Sequence, residues 1–180
     1  MTPNGVAYVT DSESGAVYSA RLERDTLDVV LPPGTLFFPN GITHDDEGKK
    51  LFIAHNLGID VLELATSRVT TLRADPTLYL GGVDGLAYYR NTLIAHQPSA
   101  FQRVFRAVLN DAQNEVTHWE VLERHHPDFL QPTTGEVAGD GYLYIANAQL
   151  RAIRGGRIAP PSQLRPVRIL RLDLTRAAKQ

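Results

Sequence analysis

Short apolar runs separated by polar turns recur along the chain, and one of these runs returns four times, at 6–11, 50–55, 91–96 and 142–147. Each run ends on a polar residue, namely Asp11, His55, His96 and Asn147. The runs are rich in Val, Ile, Leu, Tyr and Thr, while glycines and prolines mark the connections between them. This composition and spacing are typical of short β-strands joined by turns, so the pattern predicts a nearly all-β chain.

The distance between the repeats restricts the number of possible folds. The ends of the four runs lie 44, 41 and 51 residues apart, close to the roughly 40–50 residues of one propeller blade. A glycine-containing pattern precedes three of the runs, at 39–42, 83–86 and 133–136. A second apolar pattern follows all four, at 17–22, 60–64, 103–107 and 168–173. We therefore predict an all-β β-propeller.

The order of these patterns predicts the order of strands within each blade. With strands labelled A to D from the inside outward, the first unit is B-C-D, the next two are A-B-C-D, and the last is A-B-C. The D strands are expected at 28–31, 68–72 and 116–122. The chain is then one propeller domain over 1–180 with four blades' worth of strands, in units of about 5–31, 39–72, 83–123 and 133–174.

Both ends of this strand order are unfinished. A propeller commonly closes when one terminus adds a strand to the blade at the other terminus, which removes an exposed sheet edge. Here the first strand is a B strand, so we expect missing blades upstream, with a small four-bladed ring closed imperfectly as the alternative. The arginine-rich segment 149–166 predicts an exposed loop. Trp119 and Tyr79 are expected to pack between blades.

Charge and composition exclude several classes of function. The 18 basic and 20 acidic residues give a net charge of -2, which argues against nucleic acid or an anionic membrane as a partner. No stretch reaches the roughly 20 apolar residues of a membrane helix. No secretory leader is visible at the start of the chain, so we expect a cytoplasmic protein. We also expect its partner to be a small-molecule substrate. The chain has no cysteine, so any metal must be held by oxygen or imidazole.

The predicted topology brings polar side chains to one mouth of the central channel. An A strand starts, and the following B strand ends, at the same face of a propeller, so residues at these points converge. The A strands begin at Asn40, Asp84 and Thr134, and the B strands end at the four polar residues named above. Among these, we predict that Asp11, Thr134 and Asn147 bind substrate.

The residue types at this mouth suit a hard divalent cation. The Asp84 carboxylate and the Asn40 amide oxygen are ligands that calcium accepts, so calcium is the first expectation, with magnesium, manganese or zinc as alternatives. However, Asn-Gly and Asp-Gly are also common turn dipeptides, so a purely structural role stays open. We predict Asp84, His55 and His96 as catalytic residues, because an imidazole near a metal-bound water is a candidate general base. Each histidine alternatively hydrogen-bonds a neighbouring loop.

The segments at 8–12 and 15–18, 39–42 and 46–54, and 83–87 resemble the blade motifs of the gluconolactonase family, which includes the regucalcin-like senescence marker proteins. This resemblance implies a six-bladed propeller with a divalent metal in the channel. It also implies that Asn40 and Asp84 match two of the family's metal ligands, and that Asp84 matches a base. The family's further glutamate and second asparagine ligands have no counterpart in this sequence.

Two functions remain open from the sequence. The first is a metal-dependent hydrolase that opens a sugar-acid lactone or a related ester at the central channel. The alternative is a non-catalytic propeller that binds a small ligand, calcium or a protein, because similar blade motifs occur in binding propellers and because a fold alone does not fix a function.

Overall fold

The computed structural model describes residues 1–154 and 156–175, and these residues are almost entirely strands and connecting turns. The strands are β1 (Val6–Asp11), β2 (Ala16–Arg21), β3 (Leu27–Leu31), β4 (Ile42–His44), β5 (Lys50–His55), β6 (Gly58–Glu63), β7 (Arg68–Thr71), β8 (Leu86–Tyr89), β9 (Thr92–Gln97), β10 (Arg103–Leu109), β11 (Val116–Arg124), β12 (Thr133–Ala138), β13 (Gly141–Ile145), β14 (Ile153–Arg154), β15 (Arg157–Ile158) and β16 (Ile169–Asp173). Two short 3₁₀ turns lie at Leu150–Ala152 and Pro161–Gln163.

Four antiparallel sheets contain most of these strands. Their strand orders are β1-β2-β3, β4-β5-β6-β7, β8-β9-β10-β11 and β12-β13-β16. We call them the first to fourth sheets. The order within each sheet agrees with the predicted B-C-D, A-B-C-D and A-B-C patterns. The expected loop between β13 and β16 contains its own hairpin, in which β14 pairs with β15.

The core consists of three apolar layers, each between neighbouring sheets. Because side chains alternate along a strand, adjacent residues of β5 face different layers. Ile53 packs toward the first sheet with Val17, and Phe52 packs toward the third sheet with Phe105. The third layer includes Tyr142 of the fourth sheet. Full burial of a large apolar side chain stabilises the fold by about 1.5–3 kcal/mol, so these layers hold the sheets face to face.

The innermost strands approach one another too closely for a side chain at the repeated glycines. A Cβ atom on Gly41 would lie 2.7 Å from the carbonyl oxygen of Asp84, and one on Gly85 would lie 2.7 Å from the Cα of Thr134. Asn40 N–H donates to the Ala54 carbonyl and Ala54 N–H donates to the Gly41 carbonyl, both at 2.8 Å, so this pair prolongs the β4–β5 ladder. The turn interpretation of Asn-Gly and Asp-Gly is therefore wrong, because these glycines serve close strand packing.

The packing predictions for two aromatic side chains have different outcomes. Trp119 packs against the layer between the second and third sheets, as predicted. The prediction for Tyr79 is wrong, since its side chain is 54% exposed and lies in the connection that precedes β8. Across residues 1–154 and 156–175, no helix has the length and apolar character needed to cross a bilayer.

Candidate functional site

Asn40 and Asp84 meet at the point where the inner strands of the second and third sheets begin. Asn40 Nδ2 donates a hydrogen bond of 2.5 Å to Asp84 Oδ1. The Thr133 hydroxyl at the start of β12 donates to the other carboxylate oxygen, Oδ2. Three successive sheets thus contribute one polar side chain each to a single cluster, which we call the Asp84 cluster (Asn40, Asp84 and Thr133).

The surroundings of Asp84 shift the pKa of its carboxyl. Partial burial raises the pKa of Asp84, and the hydrogen bond from Asn40 opposes this shift without cancelling it. Burial acts in this direction because it disfavours the charged form. Among the residues that the structure describes, no arginine or lysine forms an ion pair with Asp84. This carboxylate therefore binds a proton more readily than an exposed aspartate does.

A cavity of about 460 Å³ opens beside this cluster. Asn40 and Asp84 line it together with Asn56, Gln97 and other residues of the loops at this face. Its apolar walls include Phe38, Val83, Tyr79, Phe101 and Leu150. The combination of apolar walls and a few convergent polar groups is typical of a small-molecule site, and we call it the Asp84 cavity.

A buried polar network holds one wall of the Asp84 cavity in place. The Gln97 amide donates hydrogen bonds of 2.9 Å to the carbonyl oxygens of Tyr79 and Gly81, and it accepts one of 2.7 Å from Arg103 Nε. The Arg103 guanidinium lies 4.5 Å from the centre of the Phe101 ring, within cation–π range. Sequence reasoning missed this network, because a glutamine and an arginine in a strand give no pattern of their own.

His96 is fully buried, with 0% exposure. Its Nε2 lies 2.9 Å from the Tyr142 hydroxyl, and its ring contacts those of Tyr142 and Tyr144. Burial lowers the pKa of His96 to about 3, because the imidazolium would lose its hydration. The side chain therefore lies in the layer between the third and fourth sheets, and it does not line the Asp84 cavity.

His55, at the equivalent position of the second sheet, is also buried. Its Nε2 lies 3.5 Å from a carboxylate oxygen of Asp60, and its Nδ1 accepts a hydrogen bond from Leu57 N–H. The interaction with His55 is the main reason that the pKa of Asp60 is lowered. The lining of the Asp84 cavity includes neither the His55 nor the His96 side chain, although Asp84 N–H donates a backbone hydrogen bond of 2.9 Å to the His96 carbonyl.

The three residues predicted to bind substrate have different surroundings. Asp11 accepts hydrogen bonds from Glu13 N–H, Ser14 N–H and the Ser14 hydroxyl, so its carboxylate caps a turn. The Asn147 amide bonds to the backbone of Pro166 and Arg168. Both side chains are thereby engaged in local structure and lie outside the lining of the Asp84 cavity.

Thr134 is exposed, and its neighbour Thr133 is the residue that contacts Asp84. The strand register between β12 and β13 is irregular between Thr133 and Gly135. A register irregularity of this kind places two residues opposite one, and the repeat alignment, which assumes regular strands, points to Thr134 instead. The sequence does show two adjacent threonines, Thr133 and Thr134, and either one could supply the hydroxyl.

The donor set of the Asp84 cluster suits a hard cation. It offers a carboxylate, an amide oxygen if the Asn40 amide turns, and a hydroxyl, all of which are oxygen donors that calcium and magnesium accept. Within the described part of the chain, no group of three or more His, Cys, Asp and Glu side chains lies together as a metal site would require. The Asp84 cluster therefore offers a cation only one charged ligand, together with neutral oxygen donors.

Comparison with known proteins supports the fold. The sequence matches no family profile and no curated protein. Among solved structures, a luciferin-regenerating enzyme has a TM-score of 0.63 at 14% identity, over 95% of this chain and 58% of that one. A chain of the nidogen/laminin complex has a TM-score of 0.61 at 20% identity, over 93% and 64%. The calcium-binding protein regucalcin from Agrobacterium tumefaciens has 0.57 at 14%, over 83% and 52%.

These likenesses establish a β-propeller fold for the chain. The chain spans less than two thirds of the length of each of these three structures. At identities of 20% or less, they carry the fold and not an activity.

Proposed function

We propose that this chain carries the Asp84 cavity of a metal-dependent hydrolase, which opens a sugar-acid lactone or a related ester. The observation that carries the proposal is the Asp84 cluster itself. It combines a half-buried carboxylate, an amide and a hydroxyl from three successive sheets, at the edge of a cavity large enough for a small ring compound. Regucalcin, one of the structural neighbours, is described as a calcium-binding protein, which agrees with an oxygen-ligated cation here.

In this proposal, Asp84 and Asn40 hold a divalent cation, calcium first, and Thr133 orients the carboxylate. A bound cation of this type supplies Lewis acidity toward a carbonyl oxygen. We also assign Asp84 as the carboxylate that takes a proton from water. The cavity's aromatic walls would contact the apolar part of the ester.

The second candidate is a cavity that binds a ligand without catalysis. One observation favours it: both oxygens of Asp84 already accept hydrogen bonds from protein groups. A carboxylate satisfied in this way needs no cation to remain in the folded structure.

Calcium titration calorimetry and lactone hydrolysis on the same protein samples separate the two candidates. We expect heat on calcium addition, hydrolysis of at least one sugar-acid lactone, and loss of both in Asp84→Asn. Asp128→Asn, in a loop outside the cavity lining, is the matched control. Calcium binding that Asp84→Asn leaves unchanged would contradict the metal site, and hydrolysis that this variant leaves unchanged would contradict the catalytic role. Absence of both heat and hydrolysis in the unaltered chain would favour the binding cavity.

A further inference from the structure

The segment around β14 and β15 has an unusual charge distribution. Residues 141–172 contain no Asp, Glu or Lys, but they contain the arginines at 151, 154, 157, 165, 168 and 171. The chain as a whole has a net charge of -2. The positive charge is therefore concentrated in one part of the molecule, where it creates a local attraction for anions.

Two amide side chains hold the two ends of this arginine-rich segment together. Gln149 bonds to both backbone groups of Arg165, donating to the carbonyl at 2.9 Å and accepting from the N–H at 2.8 Å. Asn147 donates to the Pro166 carbonyl at 2.8 Å and accepts from Arg168 N–H at 2.6 Å. These four bonds fix where the segment leaves and rejoins the fourth sheet.

Further backbone contacts shape the segment into a concave surface. Arg151 N–H donates to the Gln131 side chain at 2.7 Å, Ile153 pairs with Ile158 in the hairpin, and Ala159 N–H donates to the Ala152 carbonyl. The result is a concavity of about 580 Å³, which we call the arginine concavity. It is lined by Arg151, Ala152, Arg157, Ile158, Ala159 and Gln163.

The two arginines of this concavity lack an anionic partner among the residues that the structure describes. Neither Arg151 nor Arg157 forms an ion pair with any residue in the described part of the chain. A guanidinium presents a planar fork of N–H donors that matches carboxylate and phosphate groups. Arg151, Arg157 and Gln163 all line the arginine concavity, so it combines two guanidinium side chains and one amide as donors for a small anion.

Consecutive residues of the chain line the two concavities. Leu150 lines the Asp84 cavity, and the next residue, Arg151, lines the arginine concavity. A molecule that binds the arginines and extends past Leu150 would reach the Asp84 cavity. Binding energy gained at such a remote group also positions the rest of a ligand.

We propose that the arginine concavity is a binding site for the carboxylate or phosphate group of a small molecule, with Arg151 and Arg157 as the two anchoring side chains. The proposal stands apart from hydrolysis, because it concerns binding alone. If both proposals hold, the substrate is an acidic or phosphorylated one rather than a neutral lactone.

Binding of three matched probes tests the proposal. Gluconate carries a carboxylate, glucose 6-phosphate carries a phosphate, and glucose carries neither. Measured by ligand-observed NMR on protein freed of divalent cations with a chelating resin, at least one anion should bind the full chain and glucose should not. The anion that binds more tightly identifies the chemistry. Raising the ionic strength from about 0.05 to about 0.5 M should weaken binding.

Variants locate the bound anion. The double variant Arg151→Gln/Arg157→Gln should weaken anion binding at least tenfold. Arg24→Gln, at an exposed arginine in the turn between β2 and β3, should leave it unchanged. Equal binding of glucose, no binding of either anion, or retained affinity in the double variant would each overturn the proposal. Circular dichroism of each variant confirms that it is folded.

Discussion

The side chains of Asn40 and Asp84 come from positions 44 residues apart and are joined by a hydrogen bond of 2.5 Å. This separation is one repeat of the sequence, so the two residues occupy the same position in successive sheets. The contact shows that the inner strands are close enough for equivalent side chains to touch.

The Asp84 carboxylate lowers the stability of the fold, and its amide replacement should relieve this effect. Burial raises the pKa of Asp84 in the folded state. The Asp84 carboxyl therefore loses its proton less readily in the folded protein than in the unfolded chain. The penalty is absent below about pH 3.9, the ordinary pKa of aspartate, and is complete above the raised pKa. Asp84→Asn should therefore be more stable than the unaltered chain at pH 7 and equally stable near pH 3.

Urea unfolding at several pH values measures this difference. Asp128→Asn serves as the control, because Asp128 lies outside the cluster. A stability gain that is the same at every pH would contradict the role of burial in the behaviour of Asp84.

Replacement of Gly41 by alanine should disturb the spacing of the inner strands. The added Cβ would lie 2.7 Å from Asp84 O and 2.8 Å from Leu86 N, and neither backbone atom can move without shifting β8. Overpacking of this kind costs about 1–3 kcal/mol. Gly58→Ala is the matched control, because no atom lies within 4 Å of its added Cβ. Thermal unfolding of both variants decides the point, and equal melting temperatures would show that the inner strands tolerate a side chain.

The burial of neutral His96 should make the folded protein less stable in acid, where the unfolded chain protonates this imidazole. The pKa of His96 falls to about 3 in the folded state, against about 6.5 in the unfolded chain. Between these two values the unfolded state binds the extra proton, so stability decreases as the pH falls. The loss attributable to His96 is about 1.4 kcal/mol for each pH unit below the unfolded value.

The comparison with His96→Gln isolates this contribution. Glutamine does not titrate, so the dependence of the unfolding free energy on pH between about 6 and 4 should become shallower. His118→Gln, at an exposed histidine of β11, should leave the slope unchanged. An unaltered slope in His96→Gln would mean that the imidazole reaches solvent in the native state.

Loss of the Gln97 amide should loosen the wall of the Asp84 cavity. Gln97→Ala leaves the Arg103 Nε and the Gly81 carbonyl oxygen without this partner, whereas the Tyr79 carbonyl keeps a long hydrogen bond of 3.5 Å from Arg103 Nη2. Each buried polar group left unsatisfied costs about 1–3 kcal/mol, so a loss of about 2–6 kcal/mol is expected for the two groups. Trp119 is the single tryptophan and lies beneath the Arg103 guanidinium. Its fluorescence should shift in Gln97→Ala and not in the control Gln163→Ala. An unchanged spectrum and stability would show that water replaces the amide.

The strands and their order within each sheet were predictable from the sequence, because apolar alternation and the repeat distance are properties of the chain itself. The pairing of Asn40 with Asp84 also follows from the repeat. Thr133 was missed because the register irregularity before Gly135 shifts the contact by one residue. The burial of His96 was not predictable either, because it depends on Tyr142 and Tyr144 across the layer. Residues that end equivalent strands therefore do not all point into the same space.

The close packing at Gly41 and Gly85 gives neighbouring positions of the chain different roles. The glycine sets the distance between adjacent inner strands, and the residue before it supplies the side chain at the opening. A change in the side chain at the opening leaves the strand distance intact. This architecture therefore permits the chemistry of the opening to diverge one residue at a time, while the frame that supports it stays constant.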